Sequence, residues 1–249
     1  MNRRNAQAWP YWLAAGLLAV LFLLMIFRWA WFESLALLLL PRKDILLQRT
    51  PLYVLAAQHL GLVAATSALA LVLAFGLGIA ATRPKAKELR EVLIRLASLA
   101  ETFPSAAIMA LSVPLLGYGF KPTFLALFLY GILPVLRNTI VGIEGVSPEV
   151  IEAALGMGFG RARLLWRIQL PLALPVLLAG VRISVVINIS AATLGATVGA
   201  GGFGVPILSG LRSLDPVLIL RGSLPVALLA VVADTAFRAV ERSRLRHGC

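Results

Sequence analysis

Residues 152–171 read EAALGMGFGRARLLWRIQLP and lie between long apolar stretches of a 249-residue chain. Just before them, Ser147 and Pro148 are residue types typical of a helix N-cap and a first helical position. We expect a short helix over 149–155, a turn at the three glycines that follow at a spacing of two, and a second, basic helix from about Arg161. The sequence therefore predicts a helix–turn–helix outside the bilayer.

The flanking sequence is that of a membrane protein. Apolar residues make up 60% of the chain and charged residues 14%, whereas soluble domains have about 45–50% and about 25%. Residues 5–27, 50–82 and 183–211 contain no Lys, Arg, Asp or Glu. Since a bilayer-spanning helix needs about 20 apolar residues, we predict an all-α polytopic membrane protein in one domain.

Six transmembrane helices are predicted from these stretches. Basic loop residues are retained on the cytoplasmic side of membranes. An arrangement with both termini in the cytoplasm places about twice as many basic residues inside as outside, so we predict N-in and C-in. The predicted spans are 9–29, 53–82, 92–117, 122–143, 171–196 and 216–237.

The net charge of +12 has the same explanation, because the basic residues lie between the apolar stretches and form no folded basic face. We therefore expect no nucleic-acid partner. The one cysteine, Cys249, excludes an internal disulfide and disfavours a cysteine-rich metal site. Arg3 and Arg4 followed by a long apolar run without a cleavage pattern favour a retained first span over a signal peptide.

Within the quoted stretch, the sequence resembles the EAA loop of binding-protein-dependent ABC importer permeases, which lie in the bacterial inner membrane as multi-pass proteins. The alternative is an ordinary amphipathic loop helix. The resemblance implies a MetI-like permease core over 52–241, in which loop 147–171 is a coupling helix that docks in a cleft of the ATPase subunit. The matching residues, which it assigns to ATPase coupling, are Glu152, Ala153, Ala154, Gly158, Ile168, Leu170 and Pro171.

Further segments are similar to the permeases for glycine betaine, carnitine and choline. The similarity implies a quaternary ammonium osmoprotectant as solute, and an amino-acid or sulfonate permease is the alternative. Residues 1–51 are less characteristic and are predicted to hold the first helix and an outer segment, and 242–249 a cytoplasmic tail. The similar segments are 101–105, 113–122, 133–139, 172–176, 186–189 and 199–204.

The chain lacks the sequence of an ATPase. A P-loop requires Gly-Lys followed by Ser or Thr, and none of the four lysines has that setting. We therefore expect a transport subunit that is not an enzyme and binds no cofactor, with ATP used by a partner ATPase. The resemblance implies an extracytoplasmic solute-binding protein and a second permease, either identical or a paralogue, besides membrane lipid.

Polar and proline residues of the third predicted span are candidates for the translocation pathway. Glu101 and Thr102 precede Pro104 and Ser105, and the proline would bend the helix and release backbone carbonyls. Charged groups within a bilayer tend to face a cavity or a partner. The alternative for Glu101 is a structural ion pair, for example with Arg182.

The fifth predicted span and the glycines after it supply further candidates. Ser184 and Asn188 are one turn apart and share a face, and Asn188 is the pathway candidate. The glycines predict a left-handed or flexible outer segment that is either a gate or a turn. For Gly195 and Gly199, whose spacing favours close helix approach, packing is the alternative, and His59 beside Gln58 is interpreted as a satisfied polar pair. The pathway candidates in the outer segment are Gly199, Gly201 and Gly202.

Overall fold

The computed structural model describes residues 9–39, 50–83 and 86–244, and helices account for nearly all of them. Residues 40–49 of the predicted outer segment 31–51, the basic residues of the N-terminal tail and the last five residues of the predicted cytoplasmic tail lie outside the described residues. The helices are α1 (Trp9–Phe27), α2 (Trp29–Leu39), α3 (Leu52–Ala81), α4 (Lys87–Thr102), α5 (Ser105–Leu116), α6 (Phe120–Glu144), α7 (Pro148–Gly156), α8 (Arg161–Leu164), α9 (Leu170–Ala191), α10 (Gly204–Ser213) and α11 (Pro216–Arg244).

Within the described ranges, five helical stretches are long and apolar enough to cross a membrane. The all-α membrane architecture is thus confirmed, whereas the count of six spans and the N-in, C-in orientation stay predictions. The shorter α5 is also apolar. The five stretches are Trp9–Phe27, Leu52–Ala81, Phe120–Glu144, Arg161–Val198 and Pro216–Ser243.

The prediction of one continuous span over 92–117 is wrong. The chain forms α4 and α5 there, with a break at Phe103 and Pro104. Phe103 is extended, with φ −82° and ψ 130°, as expected for a residue before proline. Since Pro104 has no N–H for the ladder of α4, the helix ends where the sequence predicted a bend.

The centre of the bundle is formed by α3, α6 and α9, with α11 packed on α1 and α9. Glycines let these helices approach closely. A Cβ at Gly131 of α6 would lie 2.9 Å from both Asn188 Nδ2 and Ser184 Oγ of α9. At Gly78 of α3 it would lie 2.6 Å from Thr139 of α6. The three helices are therefore closely packed at Gly131 and Gly78.

Candidate functional site

The predicted helix–turn–helix begins with α7, which is longer by one residue at each end than expected. Ser147 precedes it in an extended conformation, but its side chain makes no capping hydrogen bond. Instead, its carbonyl oxygen accepts hydrogen bonds from the N–H groups of Val150 and Ile151, at 3.2 and 3.3 Å. Pro148 occupies the first helical position, as predicted.

A Schellman motif closes the turn after α7. The Gly158 N–H donates to the carbonyl oxygen of Leu155 at 2.9 Å, and the Phe159 N–H donates to that of Ala154 at 3.1 Å. Gly158 has φ +81°, yet a Cβ there would meet nothing within 4 Å. Glycine is therefore required by the backbone conformation and not by packing.

One side chain anchors α7 while the rest of the helix is presented outward. Ala154 is completely buried, whereas Glu152 and Ala153 are exposed. Leu155 and Met157 are 48% and 69% exposed. Exposed apolar side chains on a short surface helix and just after it are typical of a docking surface for another protein.

The second arm runs without interruption into the membrane. A π-helical turn, Leu165–Gln169, joins α8 to α9, so the fifth predicted span, which begins at residue 171, continues the second arm of the loop. Because the wider turn tolerates a proline N without hydrogen, Pro171 continues the helix. Leu170 is buried, Ile168 is half-buried and Pro171 is exposed. A displacement of the loop would thus be carried directly into α9.

A cavity of 180 Å³ separates this loop from the end of α3. Leu155 of α7, Leu164 and Leu165 line one side, and Thr82 and Arg83 line the other. Loop 147–171 therefore has room to shift against the end of α3.

The pathway candidates at the helix break are at the surface of the chain. Thr102 and Pro104 are exposed and Ser105 is half-buried. The Thr102 hydroxyl donates to the carbonyl oxygen of Leu99 at 2.7 Å. The backbone of Glu101 belongs to the last turn of α4, and its side chain lies outside the described residues.

Asn188 lies inside the helix packing. It is completely buried, and its Nδ2 donates to Ser67 Oγ of α3 at 3.1 Å. The Ser184 hydroxyl donates to the carbonyl oxygen of Gly131 at 2.8 Å. The predicted shared face of Ser184 and Asn188 is thus confirmed, but it is directed at α3 and α6 of the same chain, and the pathway role of Asn188 stays a prediction.

The outer glycine segment forms an ordered left-handed turn. Gly199, Gly201 and Gly202 have φ of +82°, +81° and +74°. Gln58 Oε1 accepts a hydrogen bond from the Gly202 N–H at 3.0 Å, so this turn is held on α3. His59 does not pair with Gln58 as interpreted from the sequence, because its Nε2 lies 3.0 Å from the carbonyl oxygen of Ile189.

Arg182 makes ion pairs that sequence reasoning missed. Its Nη1 lies 3.5 Å from Asp234 Oδ1 and 3.9 Å from Glu241 Oε2, both on α11. The carboxylates are seven residues apart and so share a face of α11. These pairs join α9 to α11.

Three further contacts between α4 and α6 were also missed. The α6 residues that make these contacts are Tyr130, Arg137 and Glu144. Each one further along α6 contacts a residue nearer to the start of α4. Their seven-residue spacing in a mainly apolar helix is a signal that the sequence does contain. The contacts themselves cannot be read from that spacing, however, because the partners lie 27 to 54 residues away along the chain.

The described residues thus form a bundle of apolar helices long enough to cross a membrane, with one short helix, α7, exposed at the surface. The family model described as "Binding-protein-dependent transport system inner membrane component" matches residues 70–246. The chain belongs to this family, and it is therefore a transport subunit of the inner membrane, as its sequence predicted.

Two relatives and one solved structure support this assignment. The chain is 39% identical over 184 residues to "Carnitine transport permease protein OpuCB" of Listeria monocytogenes, covering 74% of this chain and 84% of the relative. It is 37% identical over 185 residues to "Glycine betaine/carnitine/choline transport system permease protein OpuCB" of Bacillus subtilis (strain 168), with the same coverage of 74% and 84%. In fold it is similar to a chain of the inward-facing MetNI methionine ABC transporter, with a TM-score of 0.68, 18% identity and coverage of 78% of this chain and 95% of that one.

Proposed function

We propose that this chain is the permease subunit of an ATP-driven importer for quaternary ammonium osmoprotectants such as glycine betaine, carnitine and choline. The observation that carries the proposal is the 39% identity to a carnitine permease over 84% of that protein. The exposed α7 with its Gly158 turn supplies the coupling surface that such a subunit needs.

In this proposal, ATP is bound and hydrolysed by a pair of partner ATPase subunits, and the chain itself binds no cofactor. Each ATPase holds one α7 in its cleft, with Ala153 and Glu152 at the contact and Ala154 anchoring the helix to the permease. Since one chain has one such loop, a second permease, identical or paralogous, completes the assembly. A solute-binding protein docks on the opposite face of the membrane.

The proposed mechanism is a rigid-body rearrangement of packed helices between two states. Closure of the ATPase pair on ATP displaces α7 and α8. The uninterrupted helix from Arg161 to Val198 carries this displacement across the membrane, and the close contacts of α9 with α6 pass it on. The pathway then opens to one side or the other.

The test is solute-stimulated ATP hydrolysis by the chain reconstituted with its ATPase and binding protein. Glycine betaine, carnitine or choline should stimulate hydrolysis, while methionine, an unrelated amino acid and a sulfonate should not. Gly158→Val, which places a β-branched side chain in a left-handed turn, should abolish the stimulation. Stimulation by a different solute alone would refute the osmoprotectant assignment and keep the permease.

A further inference from the structure

A polar seam joins α4 to α6 on their facing sides. It consists of three contacts. Because the two helices run antiparallel, the contact nearest to the end of α6 is the one nearest to the start of α4. Arg90 Nη2 lies 2.9 Å from Glu144 Oε2, and Arg137 Nη2 donates to Ser98 Oγ at 2.9 Å. In the third contact, the Tyr130 hydroxyl donates to the Phe103 carbonyl oxygen at the helix break.

The Tyr130 and Arg137 contacts of the polar seam lie near the middle of α6, a helix long and apolar enough to cross a membrane. Its 25 residues extend about 37 Å, which exceeds the hydrocarbon thickness of about 30 Å. When the middle of α6 lies at the bilayer midplane, Tyr130 and Arg137 are within about 10 Å of that plane. The bond to Ser98 holds the Arg137 guanidinium at this depth.

The polar seam is nevertheless accessible at the surface of the chain. Arg137 is exposed, and Tyr130 and Ser98 are half-buried. By contrast, Thr66 and Thr139, which also lie in spans, are completely buried and bond to their own helices. An accessible arginine and hydroxyls at hydrocarbon depth require water or a polar partner, because lipid tails cannot satisfy them.

A different side of α4 has the composition that suits lipid. Its exposed leucines and valine recur at spacings of three and four residues, and so form one apolar stripe. Ser98 does not belong to that stripe, because it is turned roughly 100° from the nearest leucine in sequence. The members of the stripe are Leu89, Val92, Leu96 and Leu99.

We propose that the polar seam is a wall of the aqueous pathway, and that Ser98, Tyr130 and Arg137 are the side chains that face the solute as it passes. This inference rests on the proposed transport function, but not on which solute is transported. It places the pathway beside Thr102 at the break between α4 and α5 and away from the buried Asn188.

The Arg90–Glu144 ion pair is the contact of the polar seam that lies nearest to the coupling loop. Glu144 is the last residue of α6, and only residues 145–147 separate it from α7. A displacement of α7 by the ATPase therefore acts on the Arg90–Glu144 pair first. The accessibility of the polar seam should consequently differ between the states of the ATP cycle.

Single cysteines test the proposal in the complete reconstituted transporter. Cys249→Ser removes the one native cysteine, and Ser98→Cys then reports on the polar seam. Thr102→Cys, an exposed position on α4, is a second reporter should Ser98→Cys fail to fold. Leu96→Cys, 59% exposed on the apolar stripe, is the matched control, and Thr139→Cys is the buried control.

The probe is a negatively charged, membrane-impermeant methanethiosulfonate, which reacts with thiolates in water. We expect Ser98→Cys or Thr102→Cys to react at least about tenfold faster than Leu96→Cys, since a thiol in hydrocarbon forms no thiolate. Loaded binding protein with ATP should change that rate by at least about threefold, while Leu96→Cys and Thr139→Cys stay unreactive.

Two outcomes would overturn the proposal. One is a reaction rate for both reporters as low as that of Leu96→Cys. The other is a fast reaction that neither loaded binding protein nor ATP alters, since it would describe a water-filled crevice outside the pathway. If rates respond to a loaded binding protein whose solute is not a quaternary ammonium compound, the pathway assignment stands and the proposed solute class fails.

Discussion

The hydroxyl of Tyr130 on α6 donates a hydrogen bond to the main-chain carbonyl oxygen of Phe103 at the break between α4 and α5. The first turn of α5 does not use that carbonyl, because the N–H groups of Ala107 and Ile108 donate to Pro104 at 2.9 and 3.1 Å. Tyr130 thus satisfies a backbone acceptor next to the break and fixes the break against α6.

Tyr130→Phe should loosen the helix break. The change removes one hydrogen bond and keeps the ring, so it should lower the free energy of unfolding by about 1 kcal/mol. The midpoint of thermal unfolding of the detergent-solubilised chain measures this. Tyr118→Phe, which alters a tyrosine that is 80% exposed, should leave the midpoint unchanged, and an equal decrease in both variants would contradict the role of Tyr130.

Gly158→Ala should uncouple solute from ATP hydrolysis. Alanine in the left-handed conformation of Gly158 costs about 1–2 kcal/mol, and opening the Schellman motif would displace α7. We expect reduced co-purification with the ATPase and a loss of most solute-stimulated hydrolysis.

Gly156→Ala is the matched control for that variant. A Cβ at Gly156 would also meet nothing within 4 Å, but the φ of Gly156 is not left-handed. This variant should therefore assemble and hydrolyse ATP as the wild type does. If the two variants behave alike, the conformation of Gly158 is not what coupling requires.

The helix and turn of loop 147–171 could be predicted from sequence because their determinants are local. Pro148 begins a helix and Gly158 ends one through preferences of a few neighbouring residues. The break at Pro104 was predicted only as a bend, since the sequence does not reveal how Phe103 is held. Its partner, Tyr130, lies 27 residues away.

The pathway candidates show the limit of the same reasoning. Periodicity placed Ser184 and Asn188 on one face of the helix, but it does not reveal which helices that face contacts. Gly131 packs against both side chains, but it lies more than 50 residues earlier in the chain. The residues around Gly131 do not indicate this contact. For Arg182 the partners are likewise distant, and the charges on α11 could be matched to it only after the helices were packed.

Gly131→Ala should destabilise the junction of α3, α6 and α9. Its Cβ would come within 2.9 Å of Asn188 Nδ2 and Ser184 Oγ, and overpacking of this kind costs about 1–3 kcal/mol. Thermal unfolding in detergent should therefore show a lower midpoint. The control is Gly61→Ala in α3, where a Cβ would meet nothing within 4 Å. It should raise the midpoint slightly, because alanine is the better helix former. If Gly61→Ala lowers the midpoint as well, the loss in Gly131→Ala does not come from the contact with Asn188 and Ser184.

Arg182→Gln should weaken the attachment of α11 to α9. Arg182 is only 20% exposed and faces Asp234 and Glu241. Removing its charge leaves the Asp234 and Glu241 carboxylates in a span without this cation, while Arg238 Nε stays 2.7 Å from Asp234 Oδ2. We expect a loss of about 1–3 kcal/mol, the usual range for hydrogen bonds to charged groups and for the desolvation of one left without its partner.

A surface pair provides the comparison for Arg182. Arg95 and Glu91 lie 3.8 Å apart with 79% and 55% of their side chains exposed, so Arg95→Gln should change the free energy of unfolding by less than about 0.5 kcal/mol. The double variant Arg182→Gln, Glu241→Gln should recover part of the midpoint lost in Arg182→Gln, because it removes one of the two carboxylates that lost Arg182 as a partner. If it recovers nothing, Glu241 adds nothing to the attachment, and Asp234 is the partner that Arg182 requires.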